Sequence, residues 1–94
     1  MIKTFDLIKP ATVSEERFLG LAQRARQIAI EIEGVYDLAL YQTDGASCWQ
    51  CSVDVDDEQT WELLQGDESF RRVLDEVRAL GVQVVPHGQL ERRV

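Results

Sequence analysis

Long apolar runs are missing from this sequence. No stretch approaches the roughly 20 consecutive apolar residues that span a bilayer, so no membrane segment is expected. The opening residues, MIKTFDLIKP, contain no long apolar core and are interrupted by Asp6. That argues against a signal peptide and for a cytoplasmic protein with reduced thiols. Positive charge is scarce as well: 10 lysines and arginines face 17 aspartates and glutamates, for a net charge of −7. An acidic domain repels a phosphate backbone, so nucleic acid is not expected as a partner. Histidine occurs once, at His87, and cysteine twice, at Cys48 and Cys51. One C-x-x-C pair and one histidine fall short of the usual zinc ligand set. Gly-rich phosphate loops and serine-nucleophile constellations are also missing. These shortages leave a small acidic protein with no metal site.

What is present describes one domain of 94 residues with 45% hydrophobic content, a globular composition. A chain this short leaves roughly 35–40% of its unfolded surface exposed after folding, so association would stabilise it. Met1 to Ile8 mixes apolar and β-favouring residues and stops at Lys9-Pro10, which predicts a first strand. Thr12 to Glu15 has the T-x-x-E form of a capping box, with Ser14 as a competing cap. Phe18, Leu21, Ala22, Ala25, Ile28, Ala29 and Ile32 then recur at helical spacing. Gly34 is expected to close that helix.

Val35 to Gln42 reads as a second strand, with Tyr36, Leu38 and Leu40 on one face and Val35, Asp37, Ala39 and Tyr41 on the other. Asp44-Gly45 marks a hairpin turn. Ser47 to Val55 is the third strand, sending Trp49, Cys51, Val53 and Val55 one way and Cys48, Gln50, Ser52 and Asp54 the other. Asp56 is expected to cap a second helix, broken or bent at Gly66-Asp67, where Asp67 can cap a fresh start. Phe70, Val73, Leu74, Val77 and Leu80 continue the apolar spacing up to Gly81. Val82 to Val85 is a short fourth strand.

The order βαββαβ predicts an α+β ferredoxin-like sandwich: an antiparallel four-stranded sheet with two helices on one face. Ile8-Lys9-Pro10, the long first helix, Glu33-Gly34-Val35 entering strand two, and Trp61-Glu62-Leu63-Leu64-Gln65 followed by Asp67-Glu68-Ser69-Phe70 carry a further likeness. Over nearly the whole chain this layout resembles the dimeric α/β-barrel superfamily, in its antibiotic-biosynthesis-monooxygenase-like and stress-responsive forms. The resemblance implies a homodimer in which the open sheet faces of two subunits close on each other. It also implies oxidation or rearrangement of a small organic substrate without metal or prosthetic group. The Asn-Trp-His set of the haem-degrading branch is not at recognisable places, so haem is disfavoured.

The candidate site residues follow from the strand faces. Strand alternation sends residues three apart to opposite faces, so Cys48 and Cys51 should not bridge. Cys51 becomes a packing residue, and Cys48 joins the open face. There Tyr41, Gln50 and Ser52 are candidate pocket residues, a few polar groups on an otherwise apolar wall. The plain alternative is that they are interface or solvent residues. His87 and Asp37 are the candidate general bases. His87 between Pro86 and Gly88 also reads simply as an exposed turn residue. Asp6 is a further candidate whose strand face is open. Trp49 and Trp61 sit on apolar faces and read as core. Two functions are carried forward: a cofactor-independent monooxygenase-like or isomerase-like enzyme, and a non-enzymatic small-ligand-binding or accessory dimer. A regulatory amino-acid-binding domain shares the layout, but those usually sit beside a catalytic domain for which this chain has no room.

Overall fold

The computed structural model describes residues 1–86. Four strands and three helices alternate along them: β1 (Ile2–Ile8), α1 (Glu15–Ile30), β2 (Val35–Asp44), β3 (Cys48–Val55), α2 (Glu58–Gly66), α3 (Glu68–Ala79) and β4 (Gln83–Pro86). The strands form one sheet in the order β2-β3-β1-β4, and every neighbouring pair is antiparallel. This is the expected α+β ferredoxin-like fold, with the second helical stretch divided in two. None of the described helices is long and apolar enough to cross a membrane. His87 and the tail after it lie outside the described residues.

Local chemistry places the helix starts. Ser14, not Thr12, caps α1: its hydroxyl accepts from the Arg17 amide at 3.1 Å. Asp57 caps α2 in place of the expected Asp56, accepting from the Thr60 amide at 2.8 Å and the Thr60 hydroxyl at 2.9 Å. These bonds hold the Asp57 carboxyl below its usual pKa. Asp56 instead accepts a hydrogen bond from the Tyr36 hydroxyl at 3.2 Å. That bond favours the protonated phenol and raises the Tyr36 pKa. The break at Gly66 is real, and Asp67 starts α3 by accepting from the Phe70 amide at 2.9 Å. Gly81, at φ +91°, stands just past α3 as a helix-ending glycine does.

Two further expectations are corrected. Helix α1 ends at Ile30, with Glu31 as its cap, so Gly34 does not close it. Glu31 and Ile32 donate to the carbonyls three residues back, Ile28 and Ala29, which tightens the chain before Gly34. Gly34 belongs to the turn into β2, at φ +95°. The second correction concerns Tyr36 and Val35. A β-bulge separates two pairings, Val35 with Val55 and Asp37 with Asp54. The extra residue flips the parity of the strand upstream of it. Val35 therefore turns into the core and Tyr36 is exposed, the reverse of simple alternation. A small β-branched side chain fits against Val55, and the phenol stays wet.

The core lies between the sheet and the helices. Leu64, Val53, Val55 and Val73 are almost fully buried, each contributing about 1.5–3 kcal/mol relative to an exposed position. Phe18 meets Trp49 edge to face at 5.3 Å, and Phe5 stacks on Trp61 at 5.3 Å. The Trp49 indole donates to the Ala46 carbonyl at 3.0 Å, tying the β2–β3 turn to the core. Lys9 is buried, and its ammonium donates to the Val13 carbonyl at 2.6 Å, which fastens the loop before α1.

Candidate functional site

The sheet has two unlike faces, and register assigns each residue to one of them. On the open face, cross-strand rows run from β2 towards β4. One row is Tyr41, Gln50, Asp6 and Val85. Its neighbours are Ala39, Ser52 and Thr4 on one side, and Asp44, Cys48, Ile8 and Gln83 on the other. Asp37 stands opposite Asp54, with Ile2 beyond. Tyr41, Gln50, Ser52 and Cys48 are thus on one surface, with Tyr41 and Gln50 directly paired. Asp6, whose face alternation left open, is the direct neighbour of Gln50. Three large apolar residues of this face, Ile2, Ile8 and Tyr41, are exposed.

Asp37 is exposed and engaged. Its carboxylate accepts from Arg26 of α1 at 3.0 Å and from the Leu38 amide at 2.8 Å. Both contacts point the carboxylate at α1 and its own backbone.

A cavity of about 140 Å³ lies on the other face, between sheet and helices. Its floor includes Phe5, Leu40, Cys51 and Val84, one residue from each strand. Across from them stand Phe18 and Ala22 of α1, Trp61 of α2 and Leu74 of α3. Two lining residues have polar termini, Gln65 at the end of α2 and Arg78 in the last turn of α3, and both are exposed. Each is a place where the lining meets solvent, Gln65 near the start of α3 and Arg78 near its end, and the rest of the lining is apolar apart from the Cys51 thiol. Trp61 therefore has two roles, as core and as cavity wall. None of the expected pocket residues Tyr41, Gln50, Ser52 and Cys48 lines this cavity, and neither does Asp37.

The cavity was not apparent from strand alternation. Its one sequence signal is size: Ala22, Ala25 and Cys51 are small residues on faces that otherwise carry large ones. Small side chains on opposing surfaces leave room that local patterning does not report.

Both cysteines are free. Burial pushes the Cys51 thiol up to about 11, so it is neutral near pH 7 and serves neither as base nor as thiolate nucleophile. A thiol raised from 9.0 to about 11 carries about a hundredfold less thiolate at pH 8. With an aromatic disulfide reagent, Cys48 is expected to react first and Cys51 at least about tenfold more slowly. Equal rates in the folded protein would contradict this environment. The same shift has a stability consequence. Because the folded-state value is the higher one, its contribution is complete below about pH 9 and is lost as pH rises towards 11. Among the described residues, no group of three or more histidine, cysteine, aspartate or glutamate side chains could hold a metal ion.

Fold and cavity together define a small α+β protein of ferredoxin-like fold. Among solved structures, SnoaB, a cofactor-independent oxygenase from Streptomyces nogalater, superposes with a TM-score of 0.76 at 10% identity, over 98% of this chain and 95% of that one. An antibiotic-biosynthesis-monooxygenase-like protein from Nitrosomonas europaea gives 0.70 at 15% identity, over 97% and 100%. One from Deinococcus radiodurans gives 0.71 at 11%, over 100% and 97%. These likenesses establish the fold. No protein-family model and no curated protein sequence matches the chain.

Proposed function

We propose that this protein is a homodimer that binds a small, mainly apolar organic molecule in the cavity between its sheet and its helices. The observation that supports the reading most is the cavity's lining: aromatic and aliphatic but for the Cys51 thiol, with Gln65 and Arg78 where it meets solvent. Small-molecule sites have this character. A titration with a small aromatic probe, followed by NMR shifts of Ala22, Cys51 and Leu74, tests it. Saturable shifts confined to those positions are expected. Shifts confined to Tyr41, Gln50 and Ser52 would move the site to the open face.

The homodimer rests on that open face. Ile2, Ile8 and Tyr41 are exposed on it, and a 94-residue chain gains from covering them. Two-fold pairing doubles any change at its centre. Ser52→Arg, on the inner strand β3, would place a cation near the middle of the face in each subunit, and it is expected to convert a micromolar dimer into a monomer. Sedimentation equilibrium reads this directly. A wild-type monomer at micromolar concentration sinks the dimer.

A second reading is favoured by the likeness to SnoaB, a cofactor-independent oxygenase. A cofactor-independent monooxygenase-like or isomerase-like reaction needs a substrate that gives up a proton in a dry pocket. The described lining offers no carboxylate or imidazole, and the Cys51 thiol is protonated. The proton would have to be lost before the substrate enters, or to His87, the candidate base from the sequence. Oxygen uptake in the presence of small phenols distinguishes the readings. Protein-dependent uptake that falls with His87→Ala favours the enzyme. Binding without uptake favours the ligand-binding dimer.

A further inference from the structure

We infer that the ligand is a single-ring aromatic molecule, or one of similar size, carrying one anionic group, with its ring in the cavity and its charge held at the mouth by Arg78. This rests on the cavity reading above and adds the ligand's size and charge.

Size comes first. An engineered cavity of about 150 Å³ lined by Leu, Ile and Phe accommodates benzene. The cavity here is about 140 Å³. It has room for one ring and not for a fused polycycle.

Charge follows from the lining. A carboxylate deep inside would lose its hydration with nothing to replace it, so an ionised group can sit only at the mouth. Where the lining meets solvent at the end of α3 stands Arg78. The chain has 17 acidic residues for 10 basic ones; Arg24, Arg26 and Arg72 are each paired, with Glu76, Asp37 and Glu68, and of the other described arginines, Arg17, Arg71 and Arg78, only Arg78 lines the cavity. Arg78 has no such pair among the described residues. A guanidinium without a carboxylate, at the lip of an apolar cavity in an acidic protein, presents a planar donor fork matched to a ligand carboxylate. A cation would meet Arg78 first and find no carboxylate within the described lining.

Arg78 also lies in the last turn of α3, where a positive charge favours the helix dipole. That account predicts an effect on stability alone and none on ligand preference, so the two separate experimentally.

Phenylacetate and its uncharged isostere phenylacetamide are the probes, titrated into wild type and Arg78→Gln by calorimetry. Wild type is expected to prefer phenylacetate. Arg78→Gln should weaken phenylacetate about 10- to 100-fold, the range of a lost charge-assisted hydrogen bond, and leave phenylacetamide within about twofold. A thermal melt of Arg78→Gln confirms folding. Two results overturn the inference and leave the cavity standing: phenylacetamide binding as tightly as phenylacetate, or phenylacetate unaffected by Arg78→Gln. If neither probe binds at millimolar concentration, the cavity reading fails and the inference with it.

Discussion

Ala22→Phe will abolish binding of a small aromatic probe, with a loss of at least about 100-fold, and the protein will still fold. Ala22 is half-buried on α1 and lines the cavity. A phenyl group on its Cβ would fill most of a space of about 140 Å³, because a single ring needs a cavity of about that size. Overfilling a well-packed core costs typically about 1–3 kcal/mol, but here part of the new ring enters existing space and adds contacts. Stability is therefore expected to change by less than that range suggests. Calorimetric titration and a urea melt of the same preparation give both quantities. Unchanged affinity in a folded Ala22→Phe would show that the ligand sits elsewhere, and the row of Tyr41, Gln50 and Ser52 on the open face would become the site to test.

Gly34→Ala carries the largest expected loss of stability. Two independent costs meet at this position. Its φ of +95° is poorly tolerated by any side chain, and holding a non-glycine residue in such a region costs on the order of 1–3 kcal/mol. A Cβ there would also stand 2.6 Å from Thr60 Oγ1 and 2.9 Å from Thr60 Cγ2. Thr60 cannot easily retreat, because it is buried and bonded to Asp57. The combined loss is expected at about 2–5 kcal/mol, which for a domain of this size lowers Tm by more than about 10 °C. A double-mutant cycle divides the two costs. In a Thr60→Ala background most of the collision is removed, so Gly34→Ala should cost only the backbone part, about 1–3 kcal/mol. An equal loss in both backgrounds would exclude the collision.

Gly34 also illustrates how sequence reasoning misplaces a correct observation. A glycine after a long helix is a sound signal for left-handed backbone. The positive φ is there, but the helix had already ended at Ile30. The tightening at Glu31 and Ile32 depends on how Ile28 and Ile32 pack against the core, and that is not local information. Tyr36 and Val35 make the same point for a strand. Alternation is reliable until a bulge inserts one residue, and the bulge here is decided by whether the core has room for a phenol beside Val55.

The candidate site divides in the same way. Register brought Tyr41, Gln50, Ser52 and Cys48 onto one surface, as alternation alone implied, and added Asp6 to it. Sequence spacing also separated Cys48 from Cys51 correctly, because strand parity is a two-residue rule. It had no means of finding Arg78 as a cavity residue. On the helix pattern Arg78 is one more exposed charge, and its position at a mouth follows from where α3 crosses the sheet.

What the sequence determined by itself is therefore what short-range physics controls. The order of strands and helices, the inward row of Trp49, Cys51, Val53 and Val55, the interruption at Gly66 and the stop after Leu80 all follow from periodicity, capping and glycine within a few residues. What only the tertiary structure decided is where matter is missing. A cavity is the difference between the space enclosed by three helices over four strands and the volume of the side chains they bring together. Phe5, Ala22, Cys51 and Leu74 are far apart in the chain, and only their meeting turns two small residues and two large ones into a pocket with Arg78 at its edge.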